Sequence, residues 1–220
     1  MSYRSCDVRP GRRYACHVGV KIGADTLMGV TDNTSCAVRD VKRAHPWQLR
    51  NSNNMKARKH PLDRYLSTLG EGTVTWIGVR PRRCEPLASL GAATAVFDQG
   101  LEGDHRMTKT PGSGRQVTLI SEEFIRQIAA QLDLQTLDPA RLRRNIVVSG
   151  INLNALRRQR FWVGSALLEA TQLCHPCARM EAELGAGAVV AMYGYGGLCA
   201  KIIEGGGIEV GASVRWAPPS

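Results

Sequence analysis

Two cysteines separated by two residues, in the stretch Cys174-His175-Pro176-Cys177, are the part of this sequence best suited to chemistry. A C-x-x-C pair can act as a dithiol redox pair, provide half of a zinc site, or present one reactive thiolate. A structural zinc is disfavoured because such a site normally needs four ligands, and the sequence has no second C-x-x-C. Two buried structural cysteines are the alternative to any of these chemistries.

Pro176 favours the single thiolate. Proline is preferred at the first helical position, where its missing N–H is not needed. A helix that begins at Pro176 would place Cys177 in its first turn, near unpaired N–H groups and Arg179, and both stabilise a thiolate. Cys177 is therefore the predicted nucleophile or soft metal ligand, with Cys174 in support. A thioredoxin-like dithiol is the weaker alternative, because the flanking sequence does not form a βαβ pattern.

Asp104 and His105 follow two glycines in the segment GLEGDH and form a second candidate pair. Asp104 could orient His105 or cap a turn, which is the commoner use of aspartate. The segment does not match a phosphate-binding glycine motif, so it gives no support to nucleotide binding. Both residues are predicted to support a site rather than to form one.

Six arginines within twenty residues make the third candidate: Arg141, Arg143, Arg144, Arg157, Arg158 and Arg160. Arginine binds phosphates and other planar anions by paired hydrogen bonds, which agrees with the formal net charge of +10. No recognised nucleic-acid module or aromatic stacking pattern accompanies them, so a compact phosphate-bearing cofactor is at least as good a partner as nucleic acid. Solvated surface arginines are the alternative, and we expect it to hold for Arg157 and Arg158.

The elements that must position these residues are mostly strands. β-Branched and apolar runs bounded by glycine and proline predict strands at TVTWIGVR, RQVTLIS, NIVVSGINL, FWVGSALLEAT and both halves of GLCAKIIEGGGIEVGASVRW, with Gly164 as a kink or bulge. SEEFIRQIAAQL predicts a helix capped by Ser121, and DPARLRR predicts a helical turn capped by Asp138 with Pro139 at its first position. The predicted fold class is mainly β, a barrel with a few short peripheral helices.

The first part of the chain differs from the rest. Residues 1–54 show no sustained periodicity, which predicts a disordered extension ahead of a domain at 55–220, with a small folded cap as the alternative. No apolar run reaches the ~20 residues of a membrane helix, and the first residues lack the apolar core of a signal peptide. These features, together with an odd count of seven cysteines, predict a cytoplasmic protein without a disulfide framework or a membrane partner.

Four motifs in one order resemble the MOSC domain, named for the C-terminal domain of molybdenum-cofactor sulfurase: GLEGDH, RQVTLIS, RRNIVVSG and an apolar strand closing on C-x-x-C. The resemblance covers about Glu71 to Trp216 and implies a β-barrel with a late cysteine that ligates molybdenum or carries sulfur. By position this cysteine is Cys177. The implied cofactor is molybdopterin-bound molybdenum, and the residues implied to bind it are Arg143, Arg144 and Asn145, with Arg115 and Gln116 as further contacts or supports of the pocket.

The chain resembles the short bacterial stand-alone MOSC proteins, some of which are linked to detoxifying N-hydroxylated bases. The implied function is molybdenum-dependent reduction of an N-hydroxylated small molecule, supplied with electrons by a donor protein. The alternative is a sulfur carrier, in which Cys177 receives persulfide sulfur from a cysteine desulfurase. Sulfurases carry a pyridoxal-phosphate domain ahead of MOSC for which this chain has no room, so no covalent pyridoxal phosphate is expected.

Overall fold

The computed structural model of the protein describes residues 61–108 and 111–219. The predicted extension at 1–54 lies outside the described residues. No helix in the described part of the chain is both long and apolar enough to cross a membrane.

Strands dominate the described residues. They are β1 (Gly72–Val79), β2 (Ala88–Leu90), β3 (Ala92–Val96), β4 (Gly100–Leu101), β5 (Val117–Ser121), β6 (Ile146–Ser149), β7 (Arg160–Val163), β8 (Ala166–Leu173), β9 (Leu198–Glu204), β10 (Gly206–Glu209) and β11 (Ser213–Ala217). The α-helices are α1 (Glu122–Gln131), α2 (Ala178–Leu184) and α3 (Ala188–Ala191), and 3₁₀ turns occupy Pro61–Thr68, His105–Thr108, Pro139–Leu142 and Leu153–Leu156.

Seven strands close into a barrel in the order β11-β7-β8-β9-β5-β6-β1, and the pairing of β1 with β11 completes the ring. The pair β5–β6 is parallel and the other neighbours are antiparallel. Parallel neighbours need a crossover connection, and α1 supplies it. β2 extends the sheet beside β1, and β10, β3 and β4 form a separate three-stranded sheet. The predicted fold class, a mainly β barrel with short helices, is confirmed.

The core has two parts that meet at β5. Every residue of β5 is buried, and side chains alternate along a strand. Leu119 packs in the barrel interior with Phe161, whereas the next residue, Ile120, packs with Ile128 of α1 and Met180 of α2. The helices therefore cover the outer face of β5, which fixes the position of α2 and of the segment that leads into it.

The predicted caps are confirmed at two positions. Ser121 Oγ accepts a hydrogen bond of 3.2 Å from the N–H of Phe124 at the start of α1. Asp138 Oδ1 accepts one of 2.9 Å from Ala140, with Pro139 at the first position of that turn. Both side chains satisfy N–H groups that have no partner within the helix.

Two local predictions are wrong. The single long strand FWVGSALLEAT is a hairpin, in which β7 and β8 are joined at Gly164 with φ +58°. A Cβ at Gly164 would lie 2.6 Å from the carbonyl oxygen of Gly207, so the turn requires glycine. The helix after the C-x-x-C pair begins at Ala178 rather than at Pro176, because Cys177 itself has extended backbone and is the N-cap.

Candidate functional site

A row of paired residues across five strands defines one end of the barrel. Ile77 pairs with Ile146, Ile146 with Leu119, Leu119 with Leu198, and Leu198 with Leu173. The segments that continue past this row hold the candidate residues: one follows β1, others precede β5 and β6, and one follows β8. The strand register therefore brings together residues that are far apart in the sequence.

These segments enclose a cleft of about 610 Å³. We call it the arginine cleft after the seven arginines that line it: Arg80, Arg83, Arg106, Arg115, Arg143, Arg144 and Arg179. Cys174 and Cys177 line the same cleft, together with His105 and His175. Among the described residues, no aspartate or glutamate lines it. The cleft therefore combines a positive potential with two thiols.

Asp104 and Asn145 act behind the wall of the cleft. Asp104 accepts hydrogen bonds from the backbone N–H of Arg80 (3.1 Å) and of Arg106 (2.9 Å). Asn145 Nδ2 donates to Asp104 Oδ2 (2.9 Å) and to the Gly78 carbonyl (3.1 Å). Both side chains are buried. They tie the loop after β1 to the GLEGDH turn and to β6, which is a positioning role rather than contact with a ligand.

Thr118 links the same network to β5. Its N–H and its hydroxyl lie 3.2 and 2.9 Å from Asn145 Oδ1, and its hydroxyl accepts from the N–H of Asn145. From the sequence, Asp104 is expected either to orient His105 or to cap a turn. The structure shows the second use, because Asp104 caps the turn at the N–H of Arg106. His105 Nδ1 lies 3.2 Å from Asp104 Oδ1, but in a direction that makes no hydrogen bond.

Arg143 and Arg144 are neighbours with different tasks. Arg144 is 5% exposed, and its guanidinium donates to the carbonyls of Gly196 (2.7 Å), Leu142 (2.8 Å) and Cys174 (3.1 Å). Arg143 has the left-handed conformation (φ +60°), and its side chain lines the cleft. Burial and the positive charge of Arg179 lower the pKa of Arg143. Arg144 therefore holds the wall of the cleft in place, and the Arg143 side chain is available to bind an anion.

Arg115 and Gln116 also diverge, because consecutive residues near a strand point to opposite faces. Gln116 is buried away from the cleft, where Nε2 donates to Asp98 (2.7 Å) and Oε1 accepts from the N–H of Ile202 (2.8 Å). Arg115 lines the cleft and its Nε donates to Cys199 Sγ at 3.2 Å. Of the five residues predicted to contact a cofactor, Arg115, Arg143 and Arg144 line the cleft; Gln116 and Asn145 are not among its lining residues.

Cys199, which the sequence did not single out, hydrogen bonds to Cys174; we call these two residues the thiol pair. The Cys199 thiol lowers the pKa of Cys174 to about 6; burial opposes this shift, and Arg144, Arg115 and Arg106 assist it. The pKa of Cys199 is raised, because it keeps the shared proton and is buried. Within the pair, Cys174 is therefore the thiol that loses its proton more readily. No pattern in the sequence marks Cys199, since only the register of β8 and β9 places it here.

Cys177 lies in a different part of the cleft. It is exposed, and as the N-cap of α2 its side chain makes no capping hydrogen bond. Arg179, two residues later, is exposed and lines the cleft as well. Cys177 and Arg179 thus line the same cleft, and stabilisation of a Cys177 thiolate by Arg179 stays a prediction.

Comparison with protein families identifies the domain. A family model described as "MOSC domain" matches residues 105–215, about half of the chain. The chain belongs to the MOSC domain family. Related MOSC proteins bind a molybdenum cofactor. No curated protein matches the sequence significantly.

Solved structures agree on the fold. The YuaD protein from Bacillus subtilis superimposes with a TM-score of 0.60 at 16% identity, over 69% of this chain and 98% of that one. YiiM from Geobacillus stearothermophilus gives 0.54 at 15% identity over 67% of this chain and 75% of that one, and YiiM from Escherichia coli gives 0.53 at 18% over 67% and 71%. At these identities the likeness establishes the MOSC fold alone.

The residues of the arginine cleft fit the family's cofactor. A molybdopterin group carries a phosphate, and Arg143 and Arg179 line the cleft with no carboxylate among its described lining residues. Molybdenum accepts soft ligands, and an exposed thiol lines the same cleft at Cys177.

Proposed function

We propose that the arginine cleft binds a molybdenum cofactor and that the protein reduces an N-hydroxylated small molecule. The observation that supports this most is the convergence of an exposed thiol, Cys177, with arginines whose charge no lining carboxylate offsets among the described residues. Cys177 would ligate the metal as a thiolate, and Arg143 and Arg179 would bind the pterin phosphate. The cofactor supplies two-electron transfer when it is bound.

The reaction balances as follows. An N–OH substrate gains two electrons and two protons; the N–O bond breaks, an N–H group forms and one water molecule is released. An electron-donor protein supplies the electrons, and an opening at Cys177 gives it access. Arg144 and the Asp104–Asn145 pair hold the walls of the cleft in place during this reaction, since their hydrogen bonds join four of the segments that enclose it.

Analysis of molybdenum and pterin in protein purified from a cofactor-competent host tests the proposal. The wild-type chain should contain both, and Arg143→Gln should lower the pterin content because it removes a phosphate ligand. Arg157→Gln is the matched control, since Arg157 is exposed and does not line the cleft. Wild-type protein without molybdenum and without pterin would reject the proposal.

The exposure of Cys177 also favours a second candidate, a sulfur carrier. Here the Cys177 thiolate attacks the terminal sulfur of a persulfide on a cysteine desulfurase, which leaves the desulfurase as a thiolate and Cys177 as the persulfide. Mass spectrometry after incubation with a desulfurase and cysteine should then find one added sulfur atom on Cys177 in protein that binds no metal. Unmodified Cys177 under these conditions would exclude this candidate.

Either activity suits a reducing compartment, and we propose a cytoplasmic location on this ground. All four described cysteines, Cys84, Cys174, Cys177 and Cys199, are free thiols. Thiolates and persulfides persist where disulfides are kept reduced.

A further inference from the structure

The inner corner of the arginine cleft, formed by Arg80 and His105, has polar atoms that nothing in the described chain satisfies. The Arg80 side chain lines the cleft although the residue is only 5% exposed. Among the described residues, the buried Arg80 Nε and His105 Nδ1 have no hydrogen-bond partner. A buried donor without a partner is costly, and native structures rarely keep one unless a ligand or an ordered water satisfies it.

The guanidinium of Arg80 also lacks a hydrogen-bonded anion among the described residues, although the charge of Asp104 acts on it. Its neighbour Asp104 directs its oxygens to the backbone N–H groups of Arg80 and Arg106 and to Asn145 Nδ2, not to the guanidinium. Burial, followed by the charge of Arg143, lowers the pKa of Arg80 to about 10, so the group is still positive at neutral pH. A buried cation without a hydrogen-bonded anion is unfavourable.

The corner is formed by other segments of the chain than the residues proposed to bind the cofactor phosphate, although the charge of Arg143 acts on Arg80. Arg80 follows β1 and His105 begins the 3₁₀ turn after β4, whereas Arg143 precedes β6 and Arg179 lies in α2. Arg106, the next residue in the corner, uses Nη1 to donate to the Arg115 carbonyl (3.2 Å) and adds positive charge there. One phosphate group carries at most two negative charges, so it cannot neutralise the seven arginines of the cleft.

We propose that the inner corner binds an oxyanion carried by the substrate, a phosphate or carboxylate group, through Arg80 and His105. The substrate class is then an anionic N-hydroxylated compound. The identity of the reacting group rests on the proposed function; the oxyanion subsite does not. A guanidinium matches a carboxylate or phosphate by paired hydrogen bonds, which explains arginine at this position.

Binding of inorganic phosphate to the cofactor-free chain tests the subsite directly. Isothermal titration calorimetry at constant ionic strength, with chloride as the balancing anion, should show saturable binding to the wild type. Arg80→Gln should weaken it at least about tenfold, since it removes a charge-assisted hydrogen bond from a buried site. His105→Phe keeps the ring and removes the nitrogens, so it tests the same corner if Arg80→Gln does not fold.

Arg157→Gln is the control for net charge, because it removes one positive charge outside the cleft. Equal weakening in Arg157→Gln and Arg80→Gln would mean that phosphate binds by general attraction, and the subsite would be rejected. Unchanged binding in both corner variants, Arg80→Gln and His105→Phe, would reject it as well.

Pterin content separates the two sources of an oxyanion. Protein from the cofactor-competent host should retain its pterin in Arg80→Gln, if the corner serves the substrate. Loss of both pterin and phosphate binding in Arg80→Gln would assign the corner to the cofactor and overturn the proposal. Absence of pterin from the wild type would reject the proposed function, while the phosphate titration would still decide on the subsite.

Discussion

The two thiols that line the arginine cleft, Cys174 and Cys177, are three residues apart and lie in opposite environments. Cys174 is 4% exposed and receives a hydrogen bond from the other member of the thiol pair, Cys199. Cys177 is exposed at the start of α2, without a hydrogen bond to the helix. The strand pairing accounts for the first, since the Cys174 N–H donates to the Gly197 carbonyl (2.8 Å) and continues the β8–β9 ladder. The turn that leads into α2 accounts for the exposure of Cys177.

Cys174 and Cys177 each show one of two properties that a reactive cysteine usually combines. A reactive thiol needs thiolate character and access to its partner. In the thiol pair, the lowered pKa of Cys174 favours its thiolate in a buried position, and Cys177 provides access. We therefore expect Cys177 to form the bond to metal or sulfur and Cys174 to tune the electrostatics of the cleft with its charge.

Cys177→Ser is the variant with the largest expected effect. Loss of the proposed ligand should lower molybdenum content by more than the about 10- to 100-fold that follows loss of an outer-shell partner. Cys174→Ser should be milder, and Cys84→Ser, at an exposed thiol that does not line the cleft, should have no effect. Metal analysis of the three variants measures this order. Equal losses in Cys174→Ser and Cys177→Ser, with a reversible disulfide between these two cysteines, would instead favour the dithiol redox pair.

Arg144→Ala should affect the thiol pair and the fold together. The three carbonyls that Arg144 satisfies, including that of Cys174, would be left without their donor. We expect the free energy of unfolding to fall by about 3 kcal/mol or more, because each unpaired buried acceptor costs about 1–3 kcal/mol. Urea denaturation measures the change. Arg157→Ala should stay within about 0.5 kcal/mol of wild type, as exposed positions usually do; an equally small change in Arg144→Ala would show that water replaces the guanidinium.

Cys199→Ala tests the source of the charge on Cys174. Removal of the thiol donor should raise the pKa of Cys174 from about 6 toward the ordinary thiol value of 9.0. Ultraviolet absorbance of the thiolate during a pH titration measures it, as the difference between Cys199→Ala and the double variant Cys199→Ala/Cys174→Ser, so that the other cysteines cancel. An unchanged titration would mean that the arginines alone stabilise the thiolate.

The sequence was sufficient for the parts of the site that local chemistry decides. Ser121 and Asp138 cap their helical turns because short polar side chains satisfy the N–H groups beside them. The barrel followed from β-branched runs between glycines, and the family motifs marked Arg115, Arg143 and Cys177, all of which line the cleft.

The other features of the site depend on strand register, which cannot be read from a single sequence. Cys199 lies beside Cys174 only because Gln172 pairs with Cys199 and Leu173 with Leu198. Arg143 and Arg144 are equal in type, and only the left-handed backbone of Arg143 sends their side chains to different partners. The roles of Arg144 and Arg80 are likewise invisible in the sequence, since they depend on carbonyls and cavities formed by distant segments.

The pH dependence of stability gives the cleanest test of whether Cys174 loses its proton in the folded protein. The pKa of Cys174 is about 6 in the folded protein against an ordinary 9.0, so the folded state binds fewer protons between these values. Stability from this group is therefore complete above about pH 9 and is lost as the pH falls through about 6. The difference in unfolding free energy between wild type and Cys174→Ser should rise with pH in this window, by at most about 1.4 kcal/mol per unit, which corresponds to one proton. Above this pH window, the raised pKa of Cys199 acts in the opposite direction, so the dependence of the difference on pH should reverse its sign.

Urea denaturation of the cofactor-free protein at stepped pH measures the difference, and Cys177→Ser is the matched control. A difference that stays flat from pH 6 to 9 would show that Cys174 keeps its proton and that the thiol pair carries no charge.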